Sequence, residues 1–193
     1  MAKSKNKGKA LGRASIGIDV GGTKTLLALF DSHVQVLAEL KFRTHPEKGG
    51  IKAFERALRE ALRQLLAEAA KRRLEVRSIG VGCAGDIDLR RGVVRSSPNL
   101  TFLDGYPFRE RLETLTGIRA YVANDVQAAL YGEYRLGAAR NAKHIIGVWL
   151  GTGVGGAMIV DGHLHLGATA RAGNIGNYQL HSSDIAMTEE WSW

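Results

Sequence analysis

Apolar and polar positions alternate with the period of a strand over residues 15–20, where Ile16, Ile18 and Val20 share one face, and an apolar run resumes over 25–30. Two strands joined by a turn at Gly21 and Gly22 are predicted. The alternation of Val34, Val36, Ala38 and Leu40 predicts a third strand over 33–42, so the chain opens as a meander. The period then becomes helical over 51–73, where Ile51, Phe54, Leu58, Leu62, Leu65, Leu66 and Ala69 form one stripe, with Glu55 and Arg59 expected to pair outside it. An unbroken small and apolar stretch over 76–83 reads as a strand covered on both faces, and its place after the helix implies a parallel crossover. Further strands are predicted over 93–97, 118–122, 144–150 and 157–160, with helices over 108–115, ended by Gly117, and 126–136.

The chemistry gathers at the ends of these elements. In the first turn Gly21 and Gly22 remove Cβ atoms where backbone N–H groups could face an anion; Thr23 adds a hydroxyl, Lys24 a positive charge and Asp19 a carboxylate suited to Mg²⁺. Alone, the pair of glycines is equally a hairpin turn. The same strand, glycine turn, strand design recurs at Gly151, Thr152, Gly153, Gly155 and Gly156, which also satisfies G-x-G-x-x-G. A dinucleotide site requires a helix next. A short strand closed by Asp161 and Gly162 follows instead, so both turns are read as phosphate loops. Asn124 and Asp125 fall where the 118–122 strand meets a helix, the edge at which α/β sheets collect ligands, although either residue could simply cap that helix.

Taken together, Asp19 to Lys24, Ser97-Pro98-Asn99, Asn124-Asp125, the turn over 151–156 and the segment over 167–177 resemble, in order and spacing, the ROK family of sugar kinases and repressors. The resemblance runs from about Ala14 to about His181. It implies an α/β fold of the actin-like ATPase (ribonuclease H-like) type, with a first lobe complete at 14–121 and a second, incomplete lobe at 122–193 after a basic, disordered tail at 1–13. It also implies transfer of the ATP γ-phosphate to a hexose hydroxyl. Asp125 would be the base, Asp19 would position Mg²⁺, and Gly21, Gly22, Thr23, Lys24, Gly151, Thr152, Gly153 and Gly155 would hold phosphates. Asn99, Asn124, Asn174 and Asn177 would face the sugar, with Gly85 and Asp86 as either pocket wall or plain turn. Where catalytic members carry Glu and His, this chain has Asn174 and Asn177, and with His163 and His165 read as surface residues no zinc is expected. A non-catalytic or truncated homologue that binds sugar or nucleotide is the alternative. A chain of this length, shorter than its relatives, is expected to turn over poorly and to self-associate through an uncovered second sheet or pack it loosely.

Composition refines this picture. Five of the eight net positive charges lie in residues 1–13 (Lys3, Lys5, Lys7, Lys9 and Arg13), so the basicity is largely a tail. It carries no interleaved aromatic residue and is too short for a DNA-binding helix-turn-helix, which argues against a nucleic-acid partner and the repressor branch. No stretch has the length of a membrane span, so a soluble protein is expected. Cys83 is the only cysteine; it excludes an internal disulfide, makes the cytoplasm the expected compartment, and reads as a buried packing residue.

Overall fold

The computed structural model describes residues 11–45, 49–150 and 154–177. Contacts divide the chain into two compact units, Met1–Ala129 and Leu130–Trp193. In the first, β1 (Gly12–Val20), β2 (Lys24–Asp31) and β3 (Val36–Arg43) form the meander, and α1 (Gly50–Lys71) carries the chain to β4 (Leu74–Cys83). A small hairpin, β5 (Asp86–Asp88) and β6 (Val93–Ser96), precedes α2 (Phe108–Thr116), β7 (Ala120–Asn124) and α3 (Asp125–Leu136). The main sheet has the order β3-β2-β1-β4-β7, with β4 parallel to β1 and β7 parallel to β4.

Alternation in the strands builds the core. Ala14, Ile16, Ile18 and Val20 lie on one sheet face with Leu27, Leu29, Ile79, Val81, Cys83, Ala120 and Val122, beneath Phe54, Leu58, Leu62 and Leu65 of α1 and Phe108 and Leu112 of α2. Each fully buried Leu or Phe contributes about 1.5–3 kcal/mol. Phe54 is the hub, with the rings of Phe42, Phe102, Tyr106 and Phe108 at 5.8, 5.8, 6.2 and 6.1 Å. The odd positions of β1, ending at Asp19, face the other way.

Four local expectations are corrected. β3 starts at Val36 because the Asp31 carboxylate accepts the His33 and Gln35 N–H groups at 2.8 and 2.9 Å and puts Val34 in the left-handed region, making 31–35 a turn. A bulge between Leu29 and Phe30 then breaks the alternation, leaving Val34 and Val36 exposed while Leu37, Ala38, Leu40 and Phe42 pack on the core. Glu55 turns from Arg59 to accept Tyr106 Oη and Arg111 Nε, both at 3.1 Å, since a buried tyrosine and a guanidinium outcompete a solvated helix pair. The basic stretch at 1–13 already belongs to β1 from Gly12, whose N–H donates to Arg73 O; residues 1–10 lie outside the described residues.

The division of the chain falls within α3, after Ala129, rather than at Tyr121/Val122, because β7 hydrogen-bonds into the first sheet. In the second unit β8 (Ile145–Leu150), β9 (Val154–Val160) and β10 (His163–Leu164) make an antiparallel sheet in the order β10-β9-β8. Ile146, Val148 and Leu150 are 70%, 50% and 82% exposed, which leaves one face of β8 open. Among the described residues no helix is long and apolar enough to cross a membrane.

Candidate active site

The parallel register sets the C-terminal ends of three strands side by side, with Val20 opposite Cys83 and Cys83 opposite Asn124. One residue earlier, Asp19 is opposite Gly82 and Gly82 opposite Ala123, on the face away from the α1 core. Gly82 matters here by its size: a Cβ would lie 3.4 Å from Asp125 Cα and 3.5 Å from Ala128 Cβ. The missing side chain therefore lets the first turn of α3 settle on the sheet beside Asp19.

The capping and functional readings of Asn124 and Asp125 divide between the two residues. Asn124 Oδ1 accepts the N–H groups of Val126 and Gln127 at 3.0 and 3.2 Å, the work of an N-cap. Its Nδ2 donates to Gly85 O at 3.1 Å and to Asp125 Oδ1 at 2.8 Å. Asp125 Oδ1 also accepts the Val126 N–H at 3.0 Å, so the carboxylate is fixed through one oxygen and its Oδ2 receives no hydrogen bond from the described residues. Gly85 sits at φ 128°, open only to glycine, and a Cβ there would meet Ser96 O at 2.5 Å and Ser97 Cβ at 2.9 Å. Asp86 starts β5 and lies 3.9 Å from Arg95.

Partial burial, and after it the negative charge of Asp125, raises the Asp19 carboxyl above the usual aspartate range, although the residue keeps an exposed side. Cys83 lies buried beneath both carboxylates; burial first, then Asp125 and Asp19, push its thiol up to about 12, so it stays protonated and unreactive. A folded-state pKa raised for an acid means that Asp19 burdens the native state once it ionises. The burden is absent below the unfolded pKa and grows as pH rises through the folded one. Asp19→Asn is accordingly expected to raise the melting temperature at about pH 7.5, with the gain vanishing towards about pH 4. Equal gains at both pH values would show that the two carboxylates do not repel.

The first glycine turn closes through the Gly21 N–H to Lys24 O bond at 3.1 Å. Neither Gly21 nor Gly22 takes a positive φ, so their contribution is room: a Cβ on Gly22 would stand 3.7 Å from Asn99 Cβ. Asn99 therefore lies against the turn. Thr23 and the Lys24 side chain are exposed beside it. The unit thus brings together Asp19, Gly21, Gly22, Asn99, Asn124 and Asp125. It also reveals His45, whose Nε2–H donates to Asn99 O at 2.9 Å, a contact between distant residues that no sequence period marks. Buried Ser97 Oγ has no hydrogen-bond partner among the described residues.

In the second unit Gly151, Thr152 and Gly153 lie outside the described residues. Gly155 and Gly156 are strand residues of β9, paired with Trp149 and Val148, rather than part of a turn running to 156. Close packing explains the glycine: a Cβ on Gly156 would strike Gly173 O, and one on Gly176 would strike Val154 O. The 173–176 segment is thereby laid against the start of β9. Asn174 is exposed there, and Asn177 ends a short 3-10 helix, Ile175–Asn177. His163 Nδ1 lies 2.8 Å from Asp161 O in the β9–β10 turn.

Among the described residues no cluster of three His, Cys, Asp or Glu could hold a metal. Asp19 instead offers a partly buried carboxylate whose charge a hard cation would neutralise, which fits Mg²⁺ completed by phosphate oxygens and water.

The sequence matches the ROK family over residues 15–188. It is 32% identical over 166 residues to a glucokinase of Streptomyces coelicolor, covering 83% of this chain and 49% of that protein. It is 31% identical over 163 residues to an N-acetylmannosamine kinase of Salmonella paratyphi B, covering 84% and 53%. Among solved structures, a ROK family glucokinase from Streptomyces griseus in complex with glucose and AMPPNP superposes with a TM-score of 0.74 at 31% identity, over 87% of this chain and 51% of that one. The chain spans about half the length of these relatives. Its α/β architecture is that of the actin-like ATPase fold. With the match over residues 15–188 running through Gly21 and Gly22, the glycines of 151–156 and Asn124-Asp125, this chain belongs to the ROK family.

Proposed function

We propose that the chain is the part of an ATP-dependent hexose kinase that carries the catalytic base and the first phosphate loop. The observation that carries this reading is the Asp125 carboxylate, pinned through Oδ1 by Asn124 Nδ2 and the Val126 N–H at the edge where Asp19, Gly22 and Asn99 also stand. In this reading the sugar hydroxyl attacks the γ-phosphorus, its proton passes to Asp125 Oδ2, and the bond to the β-phosphate oxygen breaks to release ADP. Mg²⁺ held near Asp19 would neutralise phosphate charge during that transfer. Gly21, Gly22, Thr23 and Lys24 would face phosphate oxygens. Thr152 and its neighbouring glycines would supply the second phosphate loop, and Asn99 the amide for the sugar. The glucokinase and N-acetylmannosamine kinase relatives make glucose the first acceptor to try and an N-acetylated hexosamine the second. We place the protein in the cytoplasm, where buried Cys83 would remain a thiol.

A coupled assay for ADP formation with glucose, mannose and N-acetylmannosamine tests the proposal. Hexose-dependent ADP release that requires Mg²⁺ is the expected result. Hexose and nucleotide binding by calorimetry without turnover would identify a binding protein, and binding of neither would reject both readings.

A further inference from the structure

We propose that His45 is a positioning residue for the Asn99 loop, an inference that rests on the reading of Asn99 as a sugar contact. Two consecutive residues at the end of β3 reach both sides of the site. The Thr44 N–H donates to Thr23 O at 3.0 Å and so braces the first glycine turn. Its hydroxyl is buried in a 2.8 Å hydrogen bond with Thr25 Oγ1, which fixes that brace to β2. His45, the next residue, turns towards the opposite loop. Its Nε2–H donates to Asn99 O at 2.9 Å, and its ring meets Phe102 edge-on at 4.8 Å between centroids. Phe102 in turn packs on Phe54 at 5.8 Å, so the loop is held at its tip by a hydrogen bond and at its base by the aromatic core. Asn99 Cβ faces Gly22 across this bracket.

The physical need is plain. Asn99 and its neighbour Pro98 are exposed, and the loop's internal bonds, Leu100 N–H to Ser97 O and Leu103 N–H to Leu100 O, order its backbone without fixing its distance from the glycine turn. Only a group anchored on the β3 side of the turn sets that distance, and His45 is such a group. The Asn99 carbonyl can only accept, so the proton of this contact is on Nε2.

Hydrogen–deuterium exchange of the sugar-free protein, together with glucose titration and steady-state kinetics, tests this in His45→Ala, His45→Gln and Asn99→Ala. Loss of one hydrogen bond of ordinary strength should speed exchange of the Leu100 and Leu103 amides about five- to tenfold in His45→Ala. Exchange should return to within about threefold of the parent in His45→Gln, whose amide can still donate. Glucose affinity and KM should weaken by a similar factor in His45→Ala and at least as much in Asn99→Ala, with kcat changed less than about threefold. Unchanged exchange in His45→Ala overturns the clamp. Faster exchange with unchanged affinity, while Asn99→Ala weakens binding, overturns its role in positioning. Asn99→Ala binding glucose like the parent removes the sugar contact on which the inference depends. If the parent binds no hexose, it is the proposed function that fails, and exchange still decides whether His45 holds the loop.

Discussion

Asp125→Asn is expected to lower hexose phosphorylation by about 10²–10⁴-fold while leaving the fold in place. An asparagine Oδ1 can accept the same two N–H groups, from Asn124 Nδ2 and Val126, so the side chain keeps its seat at the start of α3. What it loses is the capacity to take a proton from the attacking hydroxyl. The charge lost from the helix N-terminus costs about 0.3–1 kcal/mol, offset in part because Asp19 no longer faces a second carboxylate. Steady-state ADP release at saturating sugar, with circular dichroism melting of parent and variant, separates the effects on chemistry and fold. A variant within a few-fold of the parent would mean that Asp125 serves the helix alone.

Phe54→Ala is expected to destabilise the first unit by about 3–5 kcal/mol, a large share of the roughly 5–15 kcal/mol that holds a domain folded. The ring is fully buried and edge-packed against Phe102, Tyr106 and Phe108, all from the one stretch 102–108 far from α1 in sequence. Truncation removes transfer free energy and leaves a cavity whose walls are held by the sheet. Urea unfolding followed by tryptophan-independent far-UV signal measures the shift in midpoint. A loss under about 1 kcal/mol would show that the aromatic cluster collapses freely into the space.

The hairpin, the amphipathic helix and the parallel crossover were legible because each is written as a period in the sequence, and burial follows that period at Ile16, Ile18 and Val20 or at Phe54, Leu58, Leu62 and Leu65. The carboxylates at the strand ends were legible for the same reason, since β1 and β7 stop beside Asp19 and Asp125. Readings failed where a side-chain or backbone contact that the hydrophobic period does not encode decided the outcome. The Asp31 carboxylate made a turn of the first residues of the expected β3, and Arg111 took Glu55 from its helical neighbour. Gly155 and Gly156 look like a turn in one dimension, but Gly156 is required by the carbonyl of Gly173 crossing above the strand. His45 escaped notice because its partner is a backbone carbonyl, which carries no residue identity to read.

The placement of β1 between an antiparallel and a parallel neighbour also fixes an order of assembly. Its hairpin with β2 closes over a turn of a few residues, whereas Gly17 meets Gly80 only after about sixty more. At equal contact strength the longer closure costs about 2.5 kcal/mol more chain entropy, so the hairpin nucleates and the parallel pairing waits for α1 to shorten the tether. β7, which among the described residues pairs only with β4, is expected to be the last strand of this sheet to join. Pulse-labelled exchange during refolding should protect Gly17 and Ala28 before Ala123. On this order the two carboxylates would meet only as the sheet is completed, and a nascent or partly folded chain would have no assembled site.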